Sequence, residues 1–137
     1  MTANSALVGQ ALSVFVYVDG YDLAEVEDQL VDRLKEFVSA WGIATARVVN
    51  DKLERTPDLG EDDLPAWNLG LNFAIDTLPR EKIQELVRFL STLAKETGRE
   101  FVIGHWDHAR RTSSDWCSIG PQPKQDVVEF LAKQFPA

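Results

Sequence analysis

The chain has 137 residues, 45% of them hydrophobic, with 22 acidic and 14 basic side chains and a net charge of −8. A chain of this size forms one domain able to bury roughly 65–70% of its unfolded surface, and without a basic excess it is a poor ligand for nucleic acid or an anionic membrane. Its single cysteine, Cys117, excludes an intrachain disulfide and fits a reducing cytoplasm.

Residues 1–10 contain no Lys or Arg and so lack the basic start of a secretory signal; they read as a loose leader to one α+β domain spanning 1–137. Leu12–Val18 is β-branched and aromatic, which predicts a strand, and Asp19-Gly20 supplies a turn. This run is far too short to span a bilayer. Asp22 and Glu25 have capping-box spacing at a helix start. Leu23, Val26, Leu30, Leu34, Phe37, Val38 and Trp41 then recur at intervals of three and four, the stripe of an amphipathic helix of about five turns. Gly42 stands where a left-handed residue ends such a helix.

Thr45–Asn50 reads as a short strand reaching toward Arg55. Residues 56–66 form a polar loop holding Asp58, Glu61, Asp62 and Asp63. Leu69, Leu71, Phe73 and Ile75 alternate with smaller or polar residues, the clearest period-two signal in the chain. Pro79 suits the first turn of a second helix, whose stripe is Ile83, Leu86, Val87, Leu90, Leu93 and Ala94, closed by Gly98. Phe101–Trp106 and Ser114–Ile119 are the arms of a hairpin with Arg110 and Arg111 in its turn. A last helix follows Pro121 and Pro123 and turns Val127, Val128, Leu131 and Phe135 inward. The order β-α-β-β-α-β, with an appended strand and helix, predicts a ferredoxin-like antiparallel sheet with two helices on one face.

That fold leaves one sheet face open. With Val14 and Val16 toward the helices, Phe15 and Tyr17 point away from them. Either the C-terminal helix folds across these rings or a second copy or partner covers them, making Phe15 and Tyr17 a dimer face.

Charge is the most informative bulk property. Between Asp19 and Asp63 stand 13 acidic and 5 basic residues, whereas the rest of the chain carries 9 of each. Glu25, Asp28, Asp32 and Glu36 fall at helical spacing, and Asp62 and Asp63 add to the field if the loop folds nearby. Such a ridge steers a basic partner protein.

The chemistry-bearing residues are few. His105, Asp107, His108 and Cys117 could form a hydrolase or metal-dependent site if the hairpin set the thiol opposite an imidazole. Zinc-type spacing, phosphate loops and nucleophile elbows are absent from the sequence, so no metal or cofactor is expected. The sequence-based expectation is a cytoplasmic, non-enzymatic domain that binds a basic protein, as an inhibitor or immunity-like factor for a basic toxin would. The small enzyme centred on His105, Asp107, His108 and Cys117 is the alternative.

Overall fold

The computed structural model describes residues 12–20, 23–52, 67–74 and 78–135. The leader, Asp22, Ile75 and the loop acids Asp58, Glu61, Asp62 and Asp63 lie outside them. The described chain is mixed α+β, with five strands and three helices: β1 (Leu12–Val18), α1 (Glu27–Trp41), β2 (Arg47–Lys52), β3 (Trp67–Ala74), α2 (Arg80–Thr97), β4 (Phe101–Asp107), β5 (Thr112–Ile119) and α3 (Val127–Ala132). The strands form one antiparallel sheet in the order β2-β3-β1-β4-β5. The first strand is therefore central, with Val16 opposite Leu71 on one side and Ile103 on the other.

Strand alternation does what the period-two pattern requires. Val14, Val16, Val18, Leu69, Leu71, Phe73, Phe101 and Ile103 are all buried and join one core with Leu30, Leu34 and Trp41 of α1 and Ile83, Leu86, Leu90 and Leu93 of α2. Trp41 meets the Phe73 ring edge-on at 5.1 Å, and Phe37 of α1 stacks on Phe89 of α2 at 4.2 Å. Hydrogen bonds lock the same corner. The Trp41 indole donates to the Lys82 carbonyl at 3.0 Å, and the Lys82 ammonium donates to the Trp41 carbonyl at 2.6 Å. Helix α1 has no basic residue in its own last turn, so Lys82 from α2 supplies the cation that its C-terminal carbonyls favour. Gly42 follows with φ 81°, a left-handed cap that disfavours any residue with a Cβ.

Three expectations need correction. Helix α1 begins at Glu27, about four turns from its end, because residues 24–26 are spent in a turn in which the Val26 N–H bonds the Leu23 carbonyl. Strand β2 begins at Arg47, two residues after Thr45, and ends at Lys52, within the expected reach toward Arg55. Finally, the C-terminal helix does not lie across Phe15 and Tyr17. Its Val127 and Leu131 join the helix-side core, and Phe135 beyond it meets both Phe73, at 6.1 Å, and Trp116, at 5.7 Å. Phe73 is the ring that Trp41 touches, so this segment completes the same layer.

Candidate functional site

On the other side of the sheet, Ser13, Phe15, Tyr17, Asn72 and Trp106 line a hollow of about 400 Å³, with His108 at its edge. The strand register explains the grouping. Phe15 sits between Asn72 and Gly104, Tyr17 between Gly70 and Val102, and Ser13 opposite Trp106. The two glycines are dictated by contact. A Cβ at Gly70 would run into the Val16 carbonyl, and one at Gly104 would come within 2.6 Å of Phe15 Cζ. Phe15 can therefore lie down over Gly104, stacked at 5.1 Å on Tyr17. At the far end the Trp106 and His108 rings meet edge to face at 5.9 Å, and His108 Nε2 is hydrogen-bonded to Ser13 Oγ at 3.0 Å.

The Asn72 Oδ1 in this hollow is buried without a hydrogen-bond partner. A buried acceptor left bare costs about 1–3 kcal/mol. Burial also raises the Tyr17 hydroxyl above its ordinary value of 10.0; Asn72 and Arg47 lower it by less, and Asp51 adds to the rise.

The residues of the enzyme alternative are spread out by the fold. His105 stands opposite Val14 and Ser114, stacked on Trp116 at 5.6 Å, with its Nδ1 buried and unpartnered. His108 lies beyond the strand end, exposed, on the Ser13 side. The Asp107 carboxylate closes the hairpin turn, accepting from the Ala109 and Arg110 N–H groups at 3.0 and 3.1 Å.

Cys117 does not face either histidine across the hairpin as expected; it stands opposite Ile103. The register of this strand pair also breaks between Ile103 and Gly104. Gly104 pairs with Asp115, so Trp116 is the extra residue of a bulge. Trp116 and Cys117 are consecutive, and both pack against the core. Desolvation raises the Cys117 thiol above 9.0, the opposite of what a nucleophilic thiolate needs. Cys117 also borders a larger hollow of about 850 Å³ between β5 and α3, together with Glu100, Lys124 and Phe130. Neither orphaned polar atom belongs to that hollow. Among the described residues, no group of three His, Cys, Asp or Glu is placed to hold a metal ion.

Of the expected acidic ridge, Asp28, Asp32 and Glu36 lie on α1 and Glu25 lies in the turn before it. Glu25, Asp28, Asp32 and Glu36 are all exposed. Arg33 is drawn away from most of them. Its guanidinium binds the Glu96 carboxylate of α2 through two hydrogen bonds of 2.9 and 3.2 Å, and it reaches only Glu36 of the ridge, at 3.5 Å. No ion pair reaches Glu25, Asp28 or Asp32 among the described residues. Asp62 and Asp63, expected to extend the ridge, lie outside those residues.

No family model, curated protein or solved structure matches the chain. No helix among the described residues is long and apolar enough to cross a membrane. Sequence reasoning placed Phe15 and Tyr17 on this face but missed Asn72, Trp106 and Ser13. The visible signal for them was the alternation within β1, β3 and β4; the cross-strand register that groups them was not visible.

Proposed function

We propose that this protein is a non-enzymatic binding domain that offers an acidic helix surface to a basic partner protein. An inhibitor or immunity-like factor acting on a basic toxin in the cytoplasm would work this way. The observation that carries the reading is the state of Glu25, Asp28 and Asp32: exposed, close together in sequence, and unpaired among the described residues, while Arg33 of the same helix is committed to Glu96. Carboxylates at spacings of three and four repel one another by about 0.2–0.5 kcal/mol per pair, a cost that a cationic partner would relieve. Such a field speeds encounter and fixes orientation. We read the scaffold as ferredoxin-like, both long helices on one face; the strand order β2-β3-β1-β4 supports this, with β5 added beside β4. The enzyme alternative draws no comparable support, since its four residues serve a turn, a ring stack, a serine contact and a desolvated thiol.

The test is a capture experiment with the full chain and with the triple variant Glu25→Gln, Asp28→Asn, Asp32→Asn. The expected result is that basic proteins retained at low salt are lost at moderate salt and are not retained by the variant, whose thermal unfolding is unchanged or slightly improved. Retention that ignores both salt and the three substitutions would reject the electrostatic mechanism.

A further inference from the structure

We infer that two copies of this chain join through β2, laid antiparallel edge to edge about a two-fold axis with Val49 opposite its own counterpart, so that Arg47 of each copy meets Asp51 of the other. The inference goes beyond the acidic surface on α1 and does not rest on it. It starts from the place of β2 in the sheet. β2 is an end strand, paired with β3 alone among the described residues. In such a strand every second residue turns its N–H and C=O groups away from the sheet, a ready template for another strand. β5, the strand at the other end, is interrupted by the bulge at Trp116, which twists an edge away from pairing. β2 runs opposite β3 from Arg47 to Lys52 without any shift of register.

The side chains choose the occupant. Val48 pairs with Leu71 and packs on the core, and the Asn50 amide donates to the Glu27 carboxylate of α1 at 2.9 Å, so the even-numbered residues face the helices. Arg47, Val49 and Asp51 therefore share the opposite face. Arg47 and Asp51 are both exposed, and neither forms an ion pair among the described residues. Four residues apart on a strand, they stand about 13 Å from each other, too far to pair within one chain. Charges on an edge strand ordinarily deter pairing. Here they deter every two-fold register but one. An axis perpendicular to the sheet keeps each face on its own side and sets one residue opposite itself. When that residue is Val49, the two valines meet at the centre with an Arg47–Asp51 pair on either side. Centring on Val48 puts Arg47 opposite Val49, and centring on Asn50 puts Asp51 opposite Val49, so either slip leaves a charge facing a valine. Opposite charges directly across a ladder favour it, and like charges oppose it. Because the contact is two-fold, one patch serves both copies and assembly stops at two.

Chains of net charge −8 repel one another at long range, so the test is made at about 0.15 M salt, where that repulsion is screened. Sedimentation equilibrium of the full chain from about 1 μM to about 1 mM should show a monomer passing to a dimer. Asp51→Arg and Arg47→Asp each set like charges against each other across the axis, and each alone should dimerise at least about tenfold more weakly. An equimolar mixture of the two should recover the dimer, because one contributes two arginines and the other two aspartates; recovery also shows that both variants are folded. Hydrogen exchange gives a second readout: alternate amides of β2 should become protected only as concentration rises. A chain that stays monomeric across the range would overturn the proposal. So would a mixture that fails to recover, or a dimer indifferent to either substitution, which would lie on another surface such as the Phe15 face. Protection of every β2 amide at all concentrations would mean that the chain covers its own edge, and would overturn it as well. None of these outcomes bears on the salt-dependent capture by α1, so the two readings fail separately.

Discussion

Cys117 and Tyr17 carry the clearest single-residue consequences. Burial raises both groups above their ordinary values of 9.0 and 10.0. A group whose folded-state value is raised contributes stability that is complete below the unfolded value and is lost as pH climbs through the folded one. The protein should therefore lose stability above about pH 9, first through the thiol and then through the phenol. Thermal melts across pH 7 to 11 measure this, and Cys117→Ala should flatten the first part of the decline. Alkylation of Cys117 by iodoacetamide should be slow at neutral pH in the folded chain and fast once it is unfolded; equal rates would contradict the desolvated setting. Trp41→Phe tests a different residue. It keeps a ring beside Phe73 but removes the indole's hydrogen bond to the Lys82 carbonyl, and should cost about 0.5–1.5 kcal/mol in denaturant unfolding. Gly70→Ala pushes a methyl group into the Val16 carbonyl and should reach or exceed the upper end of the ~1–3 kcal/mol usual for overpacking.

At the level of elements, helices and strands were legible and their edges were not. The apolar stripes of α1 and α2 became the buried faces, with Leu30, Leu34, Trp41, Ile83, Leu90 and Leu93 all in the core. Spacing alone carries that information, because a helix has a fixed turn. The start of α1 failed because Asp22 and Glu25 look like a cap while a turn at residues 24–26 takes up the chain. Strand β5 hides a second surprise. A period-two reading sends Trp116 and Cys117 to opposite sides, whereas the bulge turns both toward the core. Nothing local in Asp115-Trp116-Cys117 announces a bulge, which arises from register against Ile103 and Gly104. An exposed ion pair, Arg33 and Glu96, also joins the two long helices. Because each side chain is about a third exposed, Arg33→Ala should cost no more than about 0.2–1 kcal/mol, and less in high salt. Urea midpoints at two salt concentrations check this.

For the molecule as a whole, the candidate sites were only half visible, since both depend on what the fold places far from what. The ridge was legible as charge at helical spacing. The pairing of Arg33 was not, because Arg33 is a helical neighbour of Glu36 in sequence and yet its shorter contact is with Glu96, 63 residues away. The hollow collects Ser13, Asn72 and Trp106 from three strands, which no local pattern joins.

The place of β1 in the sheet reaches beyond the finished fold. The first of the described strands lies in the middle, and both its neighbours come from much later in the chain, at Trp67–Ala74 and Phe101–Asp107. On a ribosome it must wait, its backbone groups unmated on both edges, until β3 and then β4 have emerged. Such long-range closure slows folding and leaves a sticky ribbon exposed meanwhile. A chain terminated just before Phe101 should therefore be retained by chaperones or precipitate, while the complete chain is released folded.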